Sequence, residues 1–200
     1  MSKAAPGVRF AEVFRETRET RVEVVLDLDG GTRQDISTGV GFFDHMLQLM
    51  AFHGHFDLGL KCEGDLVIDD HHSVEDCGIV LGQAFAQAIA EEKNLARYAD
   101  NVTPMDEALV QVAIDVSGRG ILAYDVAFQR EMLGTLATEN IREFFRAFTT
   151  HSRTTLHLRK LAGDNDHHVA EAIFKGVGRA IRGATARTER ASMSSKGQRD

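Results

Sequence analysis

The chain has 200 residues, 43% of them hydrophobic, a formal net charge of −7, only 2 Pro and no low-complexity run, which suits one large domain or two small packed halves without a linker. The acidic balance excludes nonspecific nucleic-acid binding, which needs a basic surface, and no apolar run approaches the roughly 20 residues of a membrane span. Met1 to Phe10 lacks an apolar signal core, and Cys62 and Cys77 fit reduced thiols rather than a ligand motif, so a soluble, cytoplasmic protein is expected.

In chain order, Val8 to Thr17 reads as a strand with a ragged pattern. Arg21 to Leu28 alternates more clearly, with Val22, Val24, Leu26 and Leu28 on one face. Asp29-Gly30-Gly31 is a turn signal, so a hairpin into a strand over Thr32–Ser37 is expected. Phe42 to Phe52 is apolar on most sides and reads as a buried helix ended by Gly54. Phe56 to Cys62 alternates as a strand. His71 to Lys93 reads as a long helix whose small residues, Gly78, Gly82, Ala84, Ala86 and Ala88, permit close packing. Strands follow at Glu107–Ser117 and Ile121–Phe128, joined by the tight turn Ser117-Gly118-Arg119-Gly120. Asn140 to Thr150 is a short helix, Thr154 to Leu161 a strand and Asp166 to Ala184 a second long helix. Residues 185–200 form a polar, locally basic tail.

Strands, short helix, strand and long helix occur twice in that order, which marks an internal duplication. The fold class expected is α+β: a single domain over 1–200 built from half-repeats of about 8–100 and 101–184. Each pseudo-symmetric half has about four strands and two helices, packed as layers. Neither half buries both faces alone, so the two should pack about a pseudo-two-fold axis.

Both long helices begin with one pattern: Asp70-His71-His72-Ser73-Val74-Glu75 and Asp166-His167-His168-Val169-Ala170-Glu171, with corresponding residues 96 positions apart. A lone His-His pair is more often an accident; two copies at matched places of a repeat, among 9 His in all, point to metal. In a helix, residues four apart share a face, roughly 40° apart, which joins His71 to Glu75 and His167 to Glu171. The second His of each pair diverges by about 100°, which suggests two ions rather than one. Asp70 and Asp166 suit N-caps, and the helix N-terminus disfavours imidazolium, leaving the neutral, metal-binding form. Allowing a two-residue loop difference, Glu143 in the second short helix corresponds to His45 in the first, and both are ligand types. The repeat then gives two sets related by the swap: His45, His72, His167 and Glu171 around one ion; Glu143, His168, His71 and Glu75 around the other.

Phe42-Phe43-Asp44-His45-Met46-Leu47, Asp70-His71-His72-Ser73-Val74-Glu75-Asp76, Ser117-Gly118-Arg119 and Leu161-Ala162-Gly163-Asp164-Asn165-Asp166-His167-His168 with Glu171 closely resemble the imidazoleglycerol-phosphate dehydratase family, in order and spacing, from about Arg9 to Gly197. The resemblance implies dehydration of imidazoleglycerol phosphate to imidazoleacetol phosphate in histidine biosynthesis, two Mn²⁺ per subunit, and a 24-subunit homo-oligomer with active sites between subunits. Some relatives carry His where Glu143 stands and others Glu. The family's substrate contacts map onto Glu19, Gln48, His53, Arg97, Arg119, Lys175, Ser194, Ser195 and Lys196. Arg97, Arg119, Lys196 and the two Ser hydroxyls suit the phosphate.

The expected mechanism runs through the imidazole ring: metal-stabilised imidazolate expels the neighbouring hydroxyl, a diazafulvene forms, and a carboxylate removes the next proton. Glu19 is the first candidate for that base, Glu171 the second. A dinuclear metallohydrolase and a noncatalytic metal-binding or shell-forming protein are the competing readings. The hydrolase is disfavoured because the ligands are rich in imidazole and lack a bridging carboxylate. The noncatalytic reading leaves Arg97, Arg119 and Lys196 without a purpose.

Overall fold

The computed structural model describes residues 7–189. The first half runs β1 (Phe10–Glu16), β2 (Thr20–Asp27), β3 (Gln34–Ser37), α1 (Gly41–Gly54), β4 (Asp57–Gly64) and α2 (His71–Ala88). The second runs β5 (Tyr98–Met105), β6 (Ala108–Asp115), β7 (Ile121–Asp125), the short pair β8 (Met132–Leu133) and β9 (Leu136–Ala137), α3 (Thr138–Ser152), β10 (Thr155–Ala162) and α4 (Asp166–Ala184).

The two sheets have one topology, β1-β2-β4-β3 and β5-β6-β10-β7. In each, the first three strands are antiparallel and the fourth lies parallel to its neighbour. A parallel pair needs a crossover, and the short helices supply it: α1 between β3 and β4, α3 between β7 and β10. The α+β duplication read from the sequence therefore holds down to strand order.

Both expected hairpins are corrected. β2 pairs with β1 on one side and β4 on the other, so no edge is left for β3, which joins β4 in parallel register. The Gly30-Gly31 turn is instead fastened to the start of β4, where Asp57 Oδ1 accepts the N–H groups of Gly31 at 2.9 Å and Arg33 at 2.8 Å. Likewise β10 lies between β6 and β7. β5 is an edge strand absent from the sequence reading; its outward Asp100 and its Pro104 blur the apolar alternation, and an edge tolerates both. α2 stops at Ala88 rather than Lys93, where the buried face gives way to exposed Ala90 and Glu91.

The helices exchange partners between halves. α2 covers its own sheet but runs along α3; α4 covers the second sheet but runs along α1. Each pair crosses at a glycine. A Cβ on Gly178 would run into the Met50 carbonyl and come within 3.0 Å of the Gly54 nitrogen. A Cβ on its counterpart Gly82 would come within 2.7 Å of Phe148 O and 3.0 Å of Ser152 N. Between the pairs, Phe43, Phe144, Phe145 and Phe174 are fully buried with ring centroids 4.9–5.7 Å apart. Burying each such ring contributes about 2–3 kcal/mol, and the cluster locks α1, α3 and α4 to one another.

One charged network ties the start of β1 to the segment after α4. Asp29 accepts from Arg9 Nη2 at 2.6 Å, and Arg187 pairs with both Asp29 at 3.3 Å and Glu92 at 2.7 Å. Hydrogen bonding to the Arg9 side chain holds the Asp29 carboxyl below its ordinary range. A carboxyl lowered on folding stabilises above its unfolded pKa, and that contribution fades as pH falls through the folded value. We expect Asp29→Asn to cost about 1 kcal/mol at pH 7, since the pairs are partly solvent-screened, with the deficit shrinking below about pH 4. Urea midpoints at both pH values check this; a deficit that does not change with pH would show that the carboxylate charge is not its source.

Candidate metal centres

Both long helices begin at their His pairs for one local reason. His71 donates its backbone N–H to Asp69 Oδ1 at 2.9 Å, and His167 donates to Asn165 Oδ1 at 3.0 Å. The capping oxygen thus comes from one residue earlier than the sequence reading placed it. Asp70 and Asp166 serve instead as anchors. Both are buried, and Asp70 Oδ2 accepts the Ala137 N–H at 2.9 Å while Asp166 Oδ2 accepts those of Gln129 at 2.9 Å and Arg130 at 2.7 Å. The segment around β8–β9 is thereby fastened to the first turn of both long helices.

The first centre joins α1 to α4. His45, His167 and Glu171 each bring a donor atom, all within 4.8 Å of one another, the one such group of three among the described residues. Glu171 Oε1 lies 2.9 Å from His167 Nε2 and 3.6 Å from His45 Nε2. Its other oxygen, Oε2, meets Lys175 Nζ at 2.5 Å. Burial pushes the Glu171 carboxyl up, but the hydrogen bonds from Lys175 and His167 outweigh it and hold the group below its usual range. The result is an anionic oxygen aimed between two imidazoles. Phe42 packs its ring edge-on against His167 at 5.0 Å.

The second centre joins α2 to α3 at the equivalent positions. His71 Nε2 lies 3.8 Å from Glu75 Oε2. Its Nδ1 sits 3.0 Å from Asn140 Oδ1, an acceptor that draws the ring proton to Nδ1 and leaves the Nε2 lone pair open. Glu143 Oε2 is buried with no hydrogen bond among the described residues. Arg146 reaches it at 2.5 Å, out of hydrogen-bond alignment, and reaches Glu75 Oε1 at 3.1 Å. Two carboxylates joined by a guanidinium, beside an imidazole nitrogen left open, are ligand types that fit a divalent ion.

His72 and His168 join neither group within the chain. His72 Nδ1 is held by Asp65 at 3.0 Å, and its Nε2 lies 3.9 Å from Glu19. His168 Nδ1 is held by Glu107 at 2.7 Å. The hydrogen bond to Asp65 raises the His72 pKa, that to Glu107 raises His168, and the same contact with a backbone N–H from Asn165 pulls the Glu107 carboxyl down to about 2. Both rings therefore present Nε2, with a carboxylate behind Nδ1, the arrangement that orients metal-ligating histidines. Of the two four-residue sets expected from the repeat, the structure gathers three members of the first, His45, His167 and Glu171, while His71, Glu75 and Glu143 of the second do not close into such a group among the described residues.

Of the remaining expected residues, Lys175 belongs to the first centre. His53 is kept neutral first by burial and then by the nearby charges of Lys175 and Arg179. Gln48 lies one turn beyond His45 on α1. Arg97 has φ +73 and is held by Asp115, with Nε to Oδ1 at 2.8 Å and its guanidinium 4.8 Å from the Tyr98 ring. Arg119 is exposed on the β6–β7 turn, where its N–H meets Ser117 Oγ at 3.2 Å. Ser194, Ser195 and Lys196 lie outside the described residues. Sequence reasoning missed Asp65, Glu107, Asn140 and Arg146. Glu107 approaches His168 from 61 positions away, and no local spacing signals such a contact.

The family model described as imidazoleglycerol-phosphate dehydratase matches residues 38–181. The chain is 52% identical over 191 residues to the imidazoleglycerol-phosphate dehydratase of Caldicellulosiruptor bescii, covering 96% of this chain and 98% of that one. It is 51% identical over 179 residues to that of Methylobacterium radiotolerans, covering 90% and 92%. Among solved structures, the Staphylococcus aureus imidazoleglycerol-phosphate dehydratase superposes with a TM-score of 0.79 at 39% identity, over 90% of this chain and 99% of that one. The Pyrococcus furiosus protein, in complex with (S)-C348, gives 0.81 at 35% identity, over 92% and 99%.

Proposed function

The chain belongs to the imidazoleglycerol-phosphate dehydratase family, a hydro-lyase of histidine biosynthesis, and from that premise we propose that it works with two Mn²⁺ per subunit, one at each centre. The observation that carries this reading is the convergence of His45, His167 and Glu171, with the matched residues of the other half partly gathered: His71 beside Glu75, and Glu75 and Glu143 joined through Arg146. His72 and His168 complete the two sets from neighbouring copies in a 24-subunit assembly. The half-exposed side chains of His45 and His167, 46% and 45%, and the Nε2 atoms of His72 and His168, whose nearest carboxylates, Glu19 and Asp106, stand off at 3.9 and 3.8 Å, support ligation across such a boundary. No helix among the described residues is long and apolar enough to cross a membrane, and the free thiols of Cys62 and Cys77 suit a reducing cytoplasm.

The substrate's reacting carbon has no neighbouring carbonyl and its hydroxyl leaves poorly. The chemistry that two bound ions supply is Lewis acidity toward the ring nitrogens of the imidazole. With that support the ring would give up its N–H proton and the neighbouring hydroxyl, which together leave as water, and the resulting diazafulvene would have an acidic C–H at the next carbon. A carboxylate would take that proton and return it to the ring nitrogen, and the enol so formed would relax to imidazoleacetol phosphate. Glu19 suits the role of base. It is outside both ligand sets, exposed, and next to His72, so it arrives at whichever centre His72 completes. Glu171 is the second candidate, with its role divided between ligand and base. Arg97 is pre-oriented by Asp115 for the phosphate, with Arg119, Ser194, Ser195 and Lys196 as its partners. Gln48, His53 and Lys175 line the side of the first centre.

A coupled assay for imidazoleacetol phosphate, before and after chelation and with Mn²⁺ added back, tests this reading. Turnover should vanish on chelation and return with Mn²⁺. Full turnover in demonstrably metal-free protein would rule the metal reading out, and release of free phosphate would make the protein a hydrolase instead. Glu19→Gln should retain both ions and lose about 10²–10⁴ in kcat, since the amide keeps the shape but cannot accept a proton. A near-normal rate would move the base to Glu171.

A further inference from the structure

We propose that Arg146 is a placeholder cation in the second centre, and that by occupying it in the metal-free chain it makes the two centres fill in order, first centre before second. The inference rests on the reading of both centres as Mn²⁺ sites.

The two halves differ at the very positions that neutralise their carboxylates. In the first centre the compensating cation is Lys175, one turn beyond Glu171 on α4, and it touches only Oε2. Oε1 stays with His167 and His45, so the ligand group remains assembled around an anionic oxygen whose partners are the ligand imidazoles themselves. The residue matching Lys175 on α2 is Ile79, which carries no charge. In the second centre the cation comes from the other helix. Arg146 follows Glu143 by three residues on α3, as Gln48 follows His45 by three on α1.

Where Lys175 leaves a ligand oxygen open, Arg146 spans two ligands. One nitrogen, Nη2, lies 2.5 Å from Glu143 Oε2 and 3.1 Å from Glu75 Oε1. The permanent charge of the guanidinium is thus shared by two carboxylates at a single point. It relieves their mutual repulsion without metal, and it must leave before an ion can take both. Its side chain is 58% exposed, so a path out toward solvent exists. The first centre asks for no displaced side chain, only the loss of a proton shared between His167 and Glu171. The asymmetry lies in competition for the ligands: the same ion meets an oxygen held by imidazole at one centre and a resident cation at the other.

Titration of chelator-stripped protein with Mn²⁺, with free ion read by its aqueous EPR signal, tests this independently of turnover. The wild type should bind in two classes, and loss of the weaker class in Glu143→Ala assigns it to the second centre. Arg146→Gln, which installs the first half's own residue, should tighten that weaker class on the order of tenfold, bringing it toward the first. Arg146→Lys, which keeps the charge on a shorter side chain that brings its one nitrogen less closely to both carboxylates, should shift it in the same direction by less, and serves if the Gln variant folds poorly. Arg142→Gln removes a charge from the same helix, at a residue with no ion pair to either carboxylate among the described residues, and should leave both classes unchanged. Arg146→Gln leaving the weaker class unchanged or weaker, or Arg142→Gln tightening it equally, would overturn the proposal. Absence of Mn²⁺ binding in the wild type would overturn the metal reading on which it rests.

Discussion

Glu171→Gln should leave the fold intact and cost about a thousandfold or more in kcat, together with the ion of the first centre. Three features concentrate the effect in this side chain. It is the only carboxylate in the triad, its Oε1 meets both imidazoles, and its charge is held in place against burial by Lys175 and His167. The amide retains the volume and a single acceptor oxygen but surrenders the anion, and a ligand lacking charge in an imidazole-rich set binds a divalent ion weakly. Lys175 is then left facing a neutral group, which adds repulsion toward an incoming cation. Metal analysis should find a loss of one ion per chain, with the second centre still filled. Two tightly held ions with slow turnover would instead assign Glu171 to proton transfer; two ions with normal turnover would remove it from the site.

Gly178→Ala should destabilise the protein by on the order of 3 kcal/mol, although no ligand or catalytic group is touched. The added methyl would collide with the Met50 carbonyl and crowd the Gly54 nitrogen, both backbone atoms that cannot rotate away. Relief requires α1 and α4 to separate, and the Phe43–Phe144–Phe174 cluster resists that because cores are packed without slack. The same separation would carry His45 away from His167 and Glu171. The urea midpoint of the metal-free protein should fall with little change in slope, and Mn²⁺ affinity at the first centre should fall with it. Gly82→Ala, at the equivalent crossing of α2 and α3, should act in the same direction on the second centre. Wild-type stability in Gly178→Ala would mean that the crossing is looser than the backbone distances require.

The parts of the fold legible in the sequence were those written in a single period. α4 runs over the residues its apolar spacing marks, and Val22, Val24 and Leu26 are buried as their alternation requires. The repeat of Asp-His-His-x-x-Glu pointed to the start of both long helices, and at one of them His167 and Glu171 meet His45 as its spacing requires. Pairing was not legible: a Gly-Gly turn says that the chain reverses, not which strand lies alongside, and β4 and β10 each arrive after a helix to fill the place that a hairpin would have taken. Nor was the exchange of helices between halves, since small residues on α2 and α4 permit a close neighbour without naming it. The acceptors behind the imidazoles were hidden for the same reason. Asp65, Glu107 and Asn140 are ordinary polar residues until the fold carries them to His72, His168 and His71.

The exchange of helices makes the chain a dimer with itself. The triad of the first centre draws His45 from one half and His167 and Glu171 from the other, so neither half holds a complete grip on an ion. On the proposed reading, a bound ion would stabilise the seam between the halves rather than either half alone, by an amount that grows with the logarithm of free ion concentration above the dissociation constant. A chain starved of metal should then lose cohesion first along the α1–α4 contact, where ion supply would be converted into mechanical integrity.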